Sequence, residues 1–171
     1  MDDIQLEDYH LFDFNWYFAD YYNRLCAVAS GGGILPKFLA NEKSNNNKFH
    51  EIVMNLEERF FTKRNEKLMD SIVDFDSVQD IEQYFGDFES LAKKGFYVYD
   101  KVDINNPDDL HYVLAVYPVY DPQVDSMPIN SKDLKLILKL KCNIIFRRKT
   151  EFYDINFSIR NLVNLIDSKC R

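Results

Sequence analysis

The sequence predicts an α+β fold: an antiparallel sheet built from hairpins, with helices packed on one side, in a single domain spanning 1–171. Three observations predict it. Phe12, Phe14, Trp16 and Phe18 alternate with Asp13, Asn15, Tyr17 and Ala19, which is the period of a strand with one aromatic face. Two runs rich in aromatic and β-branched residues, 96–102 and 110–117, flank the turn chemistry of DINNPDDL. Between these strand-rich regions, residues 77–95 carry start and stop signals of an amphipathic helix.

In chain order, residues 1–10 read as an acidic lead-in or a short first strand. The aromatic strand follows, Tyr21 to Arg24 break it, and Leu25 to Ser30 resume as its hairpin partner. Gly31, Gly32 and Gly33 stop the sheet, and Pro36 sits where a helix begins. The asparagine-rich stretch Asn41 to Asn47 reads as a polar loop that can cap a helix. Phe49, Ile52, Val53, Leu56 and Phe60 recur at helical spacing, so the next helix is expected over 48–61.

Ser77, with Asp80 three positions on, resembles a capping box with Asp in place of Glu. Val78, Ile81, Phe85, Phe88 and Ala92 then mark one face. Lys93 and Lys94 suit the negative end of the helix, and Gly95 the left-handed cap position. The second hairpin follows, and Pro118, Pro122 and Pro128 punctuate a loop to about residue 130. Residues 131–141 fit both periods, with the balance toward helix. Asn143 to Phe146 read as a strand, and Ile159, Leu162, Val163 and Ile166 as a closing helix.

Composition narrows the class. With 171 residues, 15% of them aromatic, the chain can bury a real core, which argues against disorder. No apolar run approaches the roughly 18 residues of a membrane helix. The acidic start MDDIQLEDYH lacks the basic and apolar regions of a signal peptide. Cys26, Cys142 and Cys170 are widely spaced, without zinc spacing to one another or to a histidine, and read as reduced structural thiols. A cytoplasmic protein is expected, without membrane association.

Known chemical constellations find little support. Gly31-Gly32-Gly33 lacks phosphate-loop spacing, and Ser30 lacks a nucleophile-elbow context. Cys26 with His10, His50 or His111 has no local support as a thiol nucleophile. Asp74 and Asp76 lack the calcium-loop pattern. The run Arg147-Arg148-Lys149 beside Phe146 and Phe152 resembles a small nucleic-acid patch, but the chain's net charge of −7 opposes polyanions. No cofactor, metal or nucleic acid is expected.

Charge asymmetry is the more informative signal. Residues 68–92 hold seven acids, Asp70, Asp74, Asp76, Asp80, Glu82, Asp87 and Glu89, and no Lys or Arg. Residues 132–171 hold ten basic residues against four acids. The acidic stretch reads either as a solvated helix face or as a docking surface for a basic partner.

At the first hairpin a family pattern emerges. Asp13 to Asp20 with Trp16 and Tyr17, the strand Leu25 to Ser30, the triple glycine, and Leu35-Pro36 resemble the opening of small bacterial immunity proteins. These accompany polymorphic toxins, including type VI secretion effectors. The resemblance covers about 30 residues, and its turn, with Asn23-Arg24 and no glycine, departs from the pattern. It implies a non-catalytic inhibitor that binds and occludes a cognate toxin. The seven acids are then candidate partner-binding residues, mimicking nucleic acid toward a basic nuclease. Two other classes stay open: a phage- or host-encoded regulatory module, and a hydrolase with a dispersed carboxylate and histidine site. If the domain dimerises, Tyr21 and Tyr22 at the hairpin tip are candidate contacts.

Overall fold

In the computed structural model, the described residues are 14–19, 24–32, 35, 37–65, 68, 77–106, 108, 111–119 and 128–139. They form β1 (Asn15–Ala19), β2 (Leu25–Ala29), α1 (Lys37–Met54), β3 (Phe61–Arg64), α2 (Val78–Lys93), β4 (Phe96–Lys101), β5 (Tyr112–Val119), a 3-10 turn over Asp133–Leu136, and β6 (Leu138–Lys139). The strands make one sheet in the order β3-β5-β4-β2-β1-β6. The α+β arrangement is as expected.

Both expected hairpins form: β1 pairs antiparallel with β2, and β4 with β5. The sheet is mixed, however, since β2 pairs parallel with β4 and β1 parallel with β6. Joining β2 to β4 in parallel needs a long crossover, and that crossover contains α1, β3 and α2.

Register sorts the two faces. Tyr17, Ala27 and Val98 align across β1, β2 and β4. On this face Tyr17 meets His50 of α1, and Asp100 of β4 meets Tyr84 of α2, so both helices cover it. Phe49, Val53, Phe85 and Ala92 complete its core with Phe96 and Val98. The sequence-predicted aromatic residues Trp16 and Phe18 point to the opposite face, with Cys26, Val28 and Tyr99. That face is buried too: Trp16, Phe18, Cys26 and Val28 are wholly inaccessible. Strands covered on both sides read as near-continuous apolar runs, as WYFA and LCAVA do.

The largest departure from the sequence reading is α1. It starts at Lys37, directly after Pro36, and runs through the whole asparagine-rich stretch, whose composition predicts a loop. Asn46 explains why. It is buried, its Oδ1 accepts the Tyr17 N–H at 3.2 Å, and its Nδ2 donates to the Asn15 carbonyl at 3.1 Å. The side chain thus stands in for a neighbouring strand along part of β1, whose pairing with β6 covers only Phe18 and Ala19. The helix ends at Met54 rather than residue 61, and the buried Lys94 Nζ donates to the Met54 carbonyl at 3.1 Å.

Phe60 consequently leaves the helix and leads into β3, an element with no counterpart in the sequence reading. Helix α2 matches its signals closely. Ser77 Oγ accepts the Asp80 N–H, and Gly95 adopts φ 98° with its N–H donating to the Ala92 carbonyl. Gly31 and Gly32 also have positive φ, 54° and 67°, which accounts for glycines at the strand end without a ligand. Pro118 lies within β5, opposite Thr62 and beyond the last β4 pair at Val116. Residues 131–139 divide: a 3-10 turn first, then the short strand β6. The expected strand 143–146, closing helix, Arg147-Arg148-Lys149 run and Tyr21-Tyr22 tip lie outside the described residues.

Candidate functional site at the β3–α2 edge

The end of the described sheet at β3 brings the sequence-predicted acids into a definite setting. The segment before β3 is fixed to the helix end: the Arg59 and Phe60 N–H groups both donate to the Lys93 carbonyl, at 2.8 and 2.9 Å. This seats β3 against α2. Arg64, on the helix-facing side of β3, then reaches two carboxylates two helical turns apart. Its Nη1 and Nη2 donate to Glu82 at 2.7 and 2.6 Å, and its Nε donates to Glu89 Oε1 at 2.6 Å. The guanidinium lies 5.0 Å from the Phe85 ring centroid.

This fork geometry suits arginine, whose planar group satisfies a carboxylate bidentately. Hydrogen bonding from Arg64 holds the Glu82 carboxyl below its usual range, and Glu82 and Glu89 push the Arg64 guanidinium further up. Glu82 remains largely in water, with 59% of its side chain exposed, whereas Arg64 and Glu89 are each at 23%. A second link, Lys93 Nζ to Glu58 at 3.7 Å with Ser90 Oγ donating to Glu58 at 2.7 Å, ties the helix to the loop before β3.

The four described candidate acids divide between two flanks of α2. Glu82 and Glu89 share the flank facing β3 and are committed to Arg64. Asp80 and Asp87, also seven residues apart, occupy the other flank, with exposed Gln79, Gln83 and Gly86 between the rows. Asp80 accepts a hydrogen bond from Ser77 Oγ at 2.7 Å, and Asp87 is exposed. Asp70, Asp74 and Asp76 lie outside the described residues.

The same edge has an apolar side that sequence reasoning missed. Phe61 is 86% exposed, and its register partner Val119 is 37% exposed on the same face, away from the helices. Lys63 shares that face, is exposed, and makes no ion pair among the described residues. The available signal was the Phe60-Phe61 doublet. Adjacent residues on a strand point to opposite faces, so a strand start there buries Phe60 and exposes Phe61.

The catalytic candidates are used structurally. Ser30 Oγ accepts the Phe14 N–H at 3.1 Å. Cys26 is buried on the face away from the helices, while His50 lies mid-helix on the other, its Nδ1 2.6 Å from Tyr17 Oη, so the sheet separates them. Burial pushes the Tyr17 phenol well up, which keeps it protonated. The Tyr84 hydroxyl donates to Asp100, and burial followed by the Asp100 charge raises its phenol in the same way. Among the described residues, no group of three His, Cys, Asp or Glu could hold a metal, and no helix is long and apolar enough to cross a membrane. His10 lies outside them. No protein-family model, curated protein or solved structure matches the chain.

Proposed function

We propose that the protein is a non-catalytic binding protein, an immunity protein that neutralises a cognate bacterial toxin by binding and occluding it. The observation that carries the reading is the exposed Phe61–Val119 pair at the sheet end, with exposed Lys63 on the same face and the Arg64–Glu82–Glu89 cluster on the opposite one. A large aromatic at 86% exposure stays dry only when a partner covers it, and aromatics ringed by polar groups dominate binding energy at interfaces. The outer carboxylates Asp80 and Asp87 supply long-range steering toward a basic partner, together with Asp70, Asp74 and Asp76. Glu82 and Glu89 contribute less to steering, because Arg64 offsets one of their two charges.

Expressing the products of the genes that neighbour this chain's gene, each with and without the chain, tests the proposal. Restored growth and a stable complex on gel filtration support it. A toxin that kills equally in both strains and forms no complex overturns it.

A further inference from the structure

The backbone of β3 alternates between groups turned toward β5 and groups turned away from it. Residues 61–64 pair with β5 in the register Phe61–Val119, Thr62–Pro118, Lys63–Tyr117 and Arg64–Val116. One residue beyond, the Asn65 N–H donates to the Ala115 carbonyl at 2.8 Å. Antiparallel pairs alternate between bonded and non-bonded, so residues 61, 63 and 65 turn their backbone groups toward β5. Pro118, which has no N–H, accordingly sits at a non-bonded position. Thr62 and Arg64 must then turn their N–H and C=O groups to the other side, where the described sheet ends.

Side chains along this edge specify what fits. On the face away from the helices stand exposed Phe61 and Lys63, with Val119 behind. On the helix face, Arg64 is already held by two carboxylates, leaving that cluster with a net charge of −1. A strand laid antiparallel on β3 would match the first face with an apolar residue opposite Phe61 and an acid opposite Lys63. On the second face it would carry no acid, since an acid there would meet Glu82 and Glu89, and neutral polar residues meet that condition.

We propose that β3 is a strand-addition site for an extended partner segment of alternating pattern, with apolar and acidic residues on one side and neutral polar residues on the other. As the toxin's docking mode this rests on the immunity reading, but the edge chemistry can be tested without the toxin.

The probe is a blocked peptide, Ile-Thr-Glu-Thr-Ile-Thr, titrated to millimolar concentration against the full chain and followed by amide NMR. Expected are shifts and slowed hydrogen exchange at the Thr62 and Arg64 amides. Affinity should fall about 5-fold when the peptide Glu becomes Lys, from a surface pair turned repulsive. N-methylation at the two inner Thr positions should abolish binding, because it removes the donors that face β3 while keeping the side chains. Thr62→Pro should do the same, and its unchanged melting temperature would show that the fold survives. Shifts confined to other elements, or undiminished binding of the N-methylated peptide, overturn the proposal. The two readings fail separately. A toxin complex insensitive to Thr62→Pro removes strand addition and leaves immunity standing, while peptide binding without toxin rescue does the reverse.

Discussion

Asn46→Ala isolates the least expected feature of the fold. Asn46 is buried, and it holds the Tyr17 N–H and the Asn15 carbonyl of β1 at 3.2 and 3.1 Å. Alanine removes both partners. Each buried backbone group left unsatisfied costs about 1–3 kcal/mol. Water entering the vacated space recovers part of this, and alanine's higher helix propensity returns about 0.5 kcal/mol. The net expectation is a loss of about 2–4 kcal/mol, a large share of the roughly 5–15 kcal/mol that holds a domain together. Urea denaturation followed by Trp16 fluorescence and far-ultraviolet circular dichroism measures it. Asn47→Ala is the internal control, because Asn47 is exposed on the same helix. That variant should gain up to about 0.5 kcal/mol from propensity alone. Two adjacent asparagines should thus give opposite signs. Equal small effects at both positions would refute the account of Asn46 as a side-chain partner for β1.

Other predictions concern the helix ends and the edge. Gly86 is exposed within α2 with open space where a Cβ would lie, so Gly86→Ala should raise stability by about 0.5–1 kcal/mol in thermal or urea unfolding. Gly95→Ala should lower it by about 2 kcal/mol or more, because φ is positive and the new Cβ would stand 3.0 Å from the Phe60 ring and 3.1 Å from Pro128. Phe61→Ser should change stability by less than about 0.5 kcal/mol while weakening the proposed complex at least about tenfold; a large stability loss would show that Phe61 is part of the core instead. Glu82→Gln should destabilise at pH 7, and the difference from the parent chain should shrink as pH falls. Arg64 holds the Glu82 carboxyl below its ordinary 4.5, so its contribution is full above that value and disappears as the folded carboxylate protonates at lower pH. A difference that grows on acidification would reverse the assignment of Arg64 as the cause.

Local chemistry made several elements legible in advance. Helix α2 was complete in the sequence: Ser77 at the cap, an apolar row at 81, 85, 88 and 92, lysines at the end and Gly95 beyond. Both hairpins followed from alternation and turn residues, which act over a few positions. In each case the forces that form the element come from neighbours along the chain.

Long-range partners decided the rest. The asparagine stretch became helix because Leu39, Asn46, Phe49 and Val53 share one buried face, and Asn46 finds its partners 29 and 31 residues away. Strand β3 exists because β5 supplies its ladder and the Lys93 carbonyl anchors its start. The acidic segment has no Lys or Arg of its own, yet Arg64 of β3 neutralises part of it across 18 and 25 residues. Sequence alone therefore set the α+β class, the capped helix and the acidic bias. Tertiary structure alone set the mixed pairing, the commitment of Glu82 and Glu89 to Arg64 and the exposed Phe61 edge. Periodicity and capping are short-range, whereas strand pairing and ion pairs join residues that only the closed chain brings together.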